Sequence, residues 1–489
     1  MPDTMTIATG SVLLDFRLPN ATSWFYASLL LAITLFFRFG KPLTLRNWDL
    51  VMLYLLVPGL LFLREARELK HQATEELQRH VAAAAAQLAP SVGAGPLAAS
   101  PALQIHAAME NAHHSSFLVF LGYLLLLTGT AYYLGRCLVD AAIVRRPAFV
   151  TNVHSAGMVF LIVCLGSILV AKSLLPVQDM APAGSLRSTV VERATVAASL
   201  AAEKVQRDML EIPAPRLEQM LEQVRTGLAL CCHALVVAGL YVIGAWIFRN
   251  NISGLAASLL YVLLPYTAYH VKSLEHALPA AVLVGALLCY RWPTVSGLVL
   301  GIGASTVYFP VLLLPIWASF YWRRGIGRFV TAFCLPVLAV VSTLAFKGEL
   351  VDEVVAAMHL PDWRAWDLRA VPSGESVWTG MQLHYAYRVP IFIGYLVLVF
   401  AGTLWPRPKN LAHLLALSAA VILGVQFWYG DAGGIYVLWY LPLLILMTVR
   451  PSLVDHVALI IAPDDDWIWQ LKRRLGSLWR RRPLQRVEV

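Results

Sequence analysis

A few charged and aromatic residues could take part in chemistry, and each lies beside an apolar stretch of the sequence. Asp179 follows the apolar run Met158–Leu174, and a carboxylate there can accept a proton. Lys272 and His276 lie in a short segment between two apolar runs. A third group lies in 347–388, a segment that is also rich in aromatic residues: Arg364, Arg369, His384 and Arg388. Guanidinium groups hold phosphate through paired hydrogen bonds, so these residues predict a phosphate-binding surface.

Each of these groups also has a structural interpretation that the sequence leaves open. Asp179 comes shortly after Pro176, and an aspartate beside a helix-ending proline is often a turn or capping residue. Lys272 and His276 could anchor helix ends at a membrane surface. The arginines and aromatic rings of 347–388 could pack among lipid headgroups in the same way. Residue type alone does not separate binding from anchoring.

Other kinds of site lack their usual signatures in this sequence. The six cysteines fall in or beside apolar runs, and they show no metal-ligand spacing. No glycine-rich phosphate loop and no Ser/His/Asp set is visible. The sequence therefore predicts no metal site and no required cofactor, and it leaves open a role for a divalent cation.

The composition indicates which class of structure positions these residues. Of the 489 residues 58% are hydrophobic and 14% are charged, whereas soluble domains contain roughly 25% charged residues. Only helices or closed barrels satisfy the backbone inside lipid, and the apolar runs here are continuous rather than alternating. We therefore predict an all-α integral membrane protein with about 12–13 transmembrane helices.

The predicted spans follow from apolar runs that approach the thickness of a bilayer core, about 30 Å. One stretch, Pro293–Trp322, is broken by Gly301, Gly303 and Pro310 and has arginines on both flanks, which favours two short helices that cross and return. The other predicted spans are Trp24–Phe37, Leu50–Leu63, Phe117–Leu134, Met158–Leu174, Leu228–Phe248, Ile252–Tyr266, Ala277–Tyr290, Phe329–Phe346, Ile391–Leu404, Leu411–Phe427 and Ile435–Met447.

The distribution of lysine and arginine predicts the orientation. If Pro293–Trp322 crosses twice, the basic residues of the short loops all fall on one side: Arg38, Lys41, Arg46, Arg136, Arg145, Arg146, Arg249, Arg291, Arg323, Arg324, Arg328, Arg407 and Lys409. The N-terminus is then outside and the C-terminus cytoplasmic in a plasma (inner) membrane. Because the net charge of +9 resides in loops and tail rather than on one surface, no nucleic-acid partner is expected.

The longer segments are predicted from helical periodicity and composition. The outer loop 176–226 reads as two amphipathic helices, the second separated by Pro213 and Pro215, that lie on the membrane surface. Arg64–Ser115 begins as a charged helix and continues as an Ala/Pro/Gly-rich spacer. The basic tail has an amphipathic stretch, Asp466–Trp479, that should contact anionic lipid headgroups.

From Met158 onward the order of spans, the large outer loops and the broken Gly-rich pair resemble the seven-span module of the GT-C superfamily of membrane glycosyltransferases. The local sequence is similar as well, in Gly254–Pro265, Arg291–Gly303, Tyr308–Pro315 and Tyr321–Arg324. The resemblance implies a hexosyl transfer, mannosyltransferase-like, from a polyprenyl-phosphate sugar to an acceptor at the outer face.

The same resemblance implies roles for individual residues. Asp179 would be the catalytic base that takes the acceptor proton, with Glu192 and Asp208 as alternatives. The substrate-binding residues would be Lys272, His276, Arg364, Arg369, His384 and Arg388. Membrane lipids and the polyprenyl-phosphate sugar are the expected partners.

The domain division has four parts: a three-span N-terminal extension at 1–150, a GT-C-like seven-span module at 151–347, an outer loop 347–388 with three C-terminal spans at 348–450, and a basic amphipathic cytoplasmic tail at 451–489. Two other functions stay open. A catalytically inactive membrane scaffold is one, because the sequence lacks the acidic pair that many members of the superfamily carry. A transporter is the other, disfavoured because the interiors of the predicted spans lack charged residues and show no two-fold inverted pattern.

Overall fold

The computed structural model describes residues 19–88, 101–142, 149–174, 214–307, 309–346, 377–381, 383–429 and 434–458, together with 467, 470 and 473. Every regular element in these ranges is helical. Asp179, Arg364 and Arg369 lie outside the described residues, as does most of the predicted outer loop 176–226. Within the described ranges the all-α prediction is confirmed.

Fifteen α-helices make up this part of the chain. In chain order they are α1 (Ala21–Phe36), α2 (Leu45–Leu88), α3 (Pro101–Ala142), α4 (Ser155–Leu174), α5 (Ala214–Val242), α6 (Asn251–Leu263), α7 (Pro265–Tyr269), α8 (Leu274–Leu288), α9 (Pro293–Val307), α10 (Leu314–Phe320), α11 (Ile326–Phe346), α12 (Val377–Gly380), α13 (Arg388–Leu404), α14 (Leu411–Trp428) and α15 (Val437–Val449). A π-helical turn, Ile243–Ile247, extends α5, and a 3₁₀ turn, Phe309–Leu313, precedes α10.

Side-chain caps fix the start of three helices. The Asn20 side chain accepts from the Ser23 N–H at α1, and the Asn250 side chain accepts from the N–H groups of Ile252 and Ser253 at α6. At α14, Asn410 and His413 form a reciprocal capping box. Such caps satisfy backbone donors that the first helical turn leaves free, which explains why these helices begin where they do.

Four helical stretches are long and apolar enough to cross a membrane: His114–Ala142, Ser155–Leu174, Glu222–Ile247 and Leu411–Trp428. Eight shorter apolar helices accompany them in the described residues. Each predicted span falls mainly within helices, but Ile252–Tyr266 is divided between α6 and α7, and two predictions for the segments that flank the spans are wrong. Residues 101–115, assigned to the spacer, belong to α3, and the second loop helix after Pro213 is continuous with the following span as α5. No glycine or proline interrupts 216–226, so nothing ends the helix there.

The broken stretch Pro293–Trp322 turns back on itself. Gly297 of α9 lies against the Phe329 carbonyl of α11, and Gly301 lies against the Phe333 carbonyl, where a Cβ on either glycine would overlap the oxygen. Contacts that advance together along both helices mean that α9 and α11 run parallel. The 3₁₀ turn and α10 between them therefore return along the bundle, and the predicted pair of short helices is confirmed.

Long-range hydrogen bonds connect several of the predicted cytoplasmic loops to one another. These loops therefore lie at the same end of the bundle, called here the basic end. His456 Nε2 lies 2.9 Å from the Ile247 carbonyl, the Leu411 N–H donates to the His456 carbonyl at 2.7 Å, and Arg324 reaches the Ala458 carbonyl at 3.2 Å. The three N-terminal helices share one buried apolar core with the later helices. The other end, called the distal end, contains the turn between α7 and α8.

Candidate functional site

The turn between α7 and α8 forms because the sequence breaks a longer helix twice. Pro265 disfavours helical backbone at the preceding residue, so Leu264 is extended (ψ 136°) and α7 begins anew at the proline. His270 ends α7, and Ser273 precedes α8 with extended backbone. His270 and His276 are thereby folded back toward each other across a short turn.

Five aromatic side chains stack at this place, and we call them the histidine cluster: His270, His276, Tyr436, Trp439 and Phe309. The His270 and His276 rings stack with centroids 3.8 Å apart, and Tyr436 stacks on His276 at 5.6 Å. Trp439 lies 4.2 Å from Tyr436 and 4.3 Å from Phe309. The cluster joins the α7–α8 turn to α15 and to the break after α9.

The two histidines of the cluster have unmet hydrogen-bonding groups. His270 is 1% exposed and His276 is 2% exposed. Neither ring nitrogen of His270, nor Nδ1 of His276, has a hydrogen-bond partner in the part of the chain that the structure describes. A neutral imidazole offers one donor and one acceptor. Buried polar groups without partners are rare and costly, so this pair calls for an explanation.

Burial favours the neutral form of His270. Loss of solvation lowers the pKa of His270 well below its ordinary value, and the nearby His276, His233 and Arg67 lower it further. His233 lies within hydrogen-bonding distance of the Tyr261 hydroxyl through Nδ1, at 2.9 Å. The neutral pair therefore presents donors and acceptors rather than positive charge.

Charged groups surround the cluster at the distal end. Lys272 is half-buried in the turn itself. Glu275 forms an ion pair with Arg225 of α5 at 3.2 Å, and the Trp439 indole N–H donates to the Glu275 carbonyl at 3.2 Å. The predicted residues Lys272 and His276 thus lie beside His270, which the sequence analysis did not select.

The other predicted group, His384 and Arg388, also lies at this end. Arg388 is buried, and its Nε donates to the Trp428 carbonyl at 2.9 Å. His384 Nδ1 accepts from the Ala386 N–H at 3.1 Å, while its buried Nε2 has no partner among the described residues. Ring contacts lead from Trp428 to Tyr429 at 6.0 Å and from Tyr429 to Tyr436 at 6.1 Å. The two predicted groups are therefore connected through aromatic side chains.

At the basic end the sequence reasoning missed a second polar site, called here the charge network: Asp49, Arg136, Asp140 and Arg450. Each is 6% exposed or less. Arg136 contacts Asp49 at 3.1 Å and Asp140 at 2.9 Å, and Arg450 contacts Asp140 at 2.6 Å. The i,i+4 spacing of Arg136 and Asp140 was the one signal in the sequence. From the sequence alone, Arg136 is interpreted only as a topology residue.

The described residues contain no group of three or more His, Cys, Asp or Glu side chains that could hold a metal ion. Comparisons of this chain with family models, curated proteins and solved structures find no match.

Proposed function

We infer that this protein is a membrane glycosyltransferase resembling the GT-C superfamily, which transfers a hexose from a polyprenyl-phosphate donor to an acceptor at the outer face of the membrane. One observation carries the proposal. The two groups predicted separately as substrate-binding both lie at the distal end. Aromatic ring contacts run from His276 through Tyr436 and Tyr429 to Trp428, whose carbonyl accepts a hydrogen bond from Arg388. This end is opposite the basic end.

The chemistry of the histidine cluster suits a sugar. Sugar hydroxyls both donate and accept hydrogen bonds, and the unmet nitrogens of His270 and His276 offer both. The flat faces of Tyr436 and Trp439 can pack on the apolar face of a pyranose ring. Leaving those nitrogens unpaired costs free energy in the empty protein, and a ligand that pairs them recovers it.

The reaction also needs a leaving-group site and a base. Lys272 beside the cluster supplies positive charge for the departing phosphate, with Arg364 and Arg369 proposed for the same task. Asp179 is proposed as the carboxylate that takes the acceptor proton. A divalent cation is not required by this scheme, and neutral histidines leave the acid–base step to Asp179.

The proposal includes a membrane arrangement with about 12–13 crossings, the N-terminus outside and the C-terminus in the cytoplasm of a plasma (inner) membrane. The apolar helices and the gathering of basic loops at one end support it. A cysteine at Gly325 should resist an impermeant thiol reagent in intact cells, whereas one at Ser185 in the outer loop should react. Labelling of the Gly325→Cys variant from outside would reverse the orientation.

The activity is tested with purified full-length protein in lipid nanodiscs and a panel of polyprenyl-phosphate hexoses. Asp179→Asn keeps the side-chain shape and removes the base, so transfer should fall by about 10²-fold or more. His276→Phe keeps the ring stack but removes the nitrogens, and it should raise the KM for the sugar donor. Glu222→Gln, an exposed change on α5, is the control for general surface effects.

The outcomes separate the competing functions. Undiminished turnover of Asp179→Asn would remove this residue as the base and leave Glu192 and Asp208. A folded wild-type protein that turns over none of the donors would favour the inactive scaffold. Substrate accumulation in proteoliposomes without transfer would favour a transporter.

A further inference from the structure

Tryptophan side chains differ in exposure between the two ends of the bundle. Among the described residues, the buried tryptophans of the distal end are Trp24, Trp378, Trp428 and Trp439, and the exposed tryptophans, all at the basic end, are Trp48, Trp246, Trp292, Trp322, Trp405 and Trp467. Indole rings concentrate where a bilayer meets water, because the ring is apolar and its N–H is polar. The basic end therefore has the surface expected of a membrane interface.

Two arginines at this end have an unusual backbone conformation. Arg249 (φ 52°) and Arg323 (φ 60°) are the non-glycine residues with left-handed backbone in the part of the chain that the structure describes. Glycine or asparagine usually occupies this conformation, because it brings a Cβ close to the following carbonyl. Arg249 closes the turn after Trp246, where the Asn250 N–H donates to the Gly244 carbonyl at 2.9 Å. An arginine where glycine would fit more easily indicates a role for its guanidinium group.

The turns that carry these two arginines lie side by side. The Ile247 carbonyl is 2.9 Å from His456 Nε2, and Arg324 donates to the Ala458 carbonyl at 3.2 Å. His456 and Ala458 are two residues apart, so their backbones are separated by about 7 Å at most. Both left-handed arginines are exposed, and each has an exposed tryptophan within three residues. We call the four residues the paired-turn surface: Trp246, Arg249, Trp322 and Arg323.

Positive charge is in excess around the paired-turn surface. The two turns and the first turn of α11 contain four arginines, whereas the connecting segment 451–458 contains one carboxylate, Asp455. Guanidinium groups bind phosphate through paired hydrogen bonds. Exposed indole rings beside them can pack on the apolar part of a lipid and donate a hydrogen bond to its polar part. This surface is therefore complementary to an anionic lipid headgroup.

We propose that the paired-turn surface binds the phosphodiester headgroup of an anionic phospholipid. Arg249 and Arg323 hold the phosphate, and Trp246 and Trp322 lie against the glycerol and the first methylenes of the acyl chains. A bound phosphate gives a reason for arginine at two left-handed positions. The site is separate from the lipid contact predicted for the tail at Asp466–Trp479, and it does not depend on the proposed sugar transfer.

The test measures binding of phosphatidylglycerol to the full-length protein in detergent, by native mass spectrometry, with phosphatidylcholine and glycerol phosphate as the comparison ligands. Arg249→Asn removes the guanidinium group and keeps a residue that tolerates left-handed backbone. Affinity for phosphatidylglycerol should fall about fivefold, the effect of one arginine at an anionic surface. The unfolding temperature without added lipid should stay the same or rise.

Arg407→Asn is the matched control, because Arg407 is an exposed arginine at the same end whose backbone is not left-handed. It should change the affinity by less than about twofold. Trp246→Ala is a second variant of the site, and since Trp246 is 78% exposed, its removal should leave the fold intact and weaken binding.

Three results would overturn the proposal. A loss in Arg249→Asn no larger than the loss in Arg407→Asn would mean that only general charge attracts the lipid. Equal affinity for glycerol phosphate and phosphatidylglycerol would identify a soluble anion as the ligand. If Arg249→Asn does not fold, Trp246→Ala decides alone, and an unchanged affinity in that variant would reject the site.

Discussion

Asp49, Arg136, Asp140 and Arg450 at the basic end are as buried as His270 and His276 at the distal end, but the two sets differ in how their polar atoms are paired. In the charge network, two carboxylates face two guanidinium groups, and Tyr132 donates a further hydrogen bond to Asp49 at 3.2 Å. In the histidine cluster, three ring nitrogens have no partner among the described residues.

We interpret this difference as one between a structural site and the proposed ligand-binding site. Burial of a polar group is costly unless a partner replaces the lost water. The charge network offsets that cost within the folded chain, and it links α2, α3 and the end of α15. Within the described residues, the histidine cluster does not offset that cost, and proteins tolerate such unpaired groups mainly where function requires them.

The largest effect is expected from Asp140→Ala in the charge network. Asp140 is the common partner of Arg136 and Arg450, so its removal leaves two buried guanidinium groups with one carboxylate. Breaking a buried ion pair by removing one partner typically costs about 3–5 kcal/mol. We expect the free energy of unfolding in detergent to fall by this order, measured by chemical denaturation.

Glu68→Gln is the control, because the Arg64–Glu68 pair is partly exposed and lies within one helix. Such pairs contribute about 0–1 kcal/mol. A loss in Asp140→Ala that is no larger than the loss in Glu68→Gln would show that the charge network does not stabilise the fold, and the contrast between the two ends would disappear.

His270→Phe should change stability in the opposite direction. Phenylalanine keeps a flat ring against His276 and removes two nitrogens that have no partner among the described residues. Relief of unsatisfied buried groups is worth about 1–3 kcal/mol, so the variant should be as stable as the wild type or more stable, while donor binding weakens. Thermal unfolding and donor titration on the same sample measure both.

The matched control is His456→Phe at the basic end. His456 Nε2 is hydrogen-bonded to the Ile247 carbonyl at 2.9 Å, while its Nδ1 has no partner among the described residues, so phenylalanine removes one existing bond together with one unpaired nitrogen. A loss of about 0.5–1.5 kcal/mol is expected. If His270→Phe destabilises the protein more than His456→Phe does, the distal histidines are structural and the ligand interpretation fails.

The helices themselves could be predicted from the sequence because hydropathy acts locally. The apolar runs that predicted the spans fall mainly within helices, and the breakers and flanking arginines of Pro293–Trp322 predicted the return between α9 and α11. The errors at α3 and α5 arose where amphipathic sequence continues an apolar helix without a breaker. Periodicity does not mark where a helix leaves the membrane.

The pairing of polar residues could be predicted only in part. Arg136 and Asp140 are one helical turn apart, but Asp49 is 87 residues from Arg136 and Arg450 is 310 residues from Asp140. Those contacts depend on how α2, α3 and α15 pack. Lys272 and His276 were selected because they share a short segment, whereas the stacking of His276 on Tyr436 joins segments far apart in the chain.

The smallest expected effect is a dependence of the free energy of unfolding on pH that arises from His270 at the distal end. His270 lies in the turn between α7 and α8, and burial first, then His276, His233 and Arg67, lower its pKa in the folded protein. Below the ordinary histidine pKa of about 6.5 the unfolded chain takes up a proton that the folded chain does not. Stability should therefore fall as the pH drops below that value and be level above it.

One such group contributes at most about 1.4 kcal/mol per pH unit. The wild type and His270→Phe are compared by thermal unfolding between about pH 5 and pH 7.5, a range above the ordinary titration of carboxylates. The variant should lose the share of the acid sensitivity that one histidine gives. Identical slopes in wild type and His270→Phe would mean that His270 takes up a proton in the folded state, and the description of the histidine cluster as a neutral, unpaired site would then be wrong.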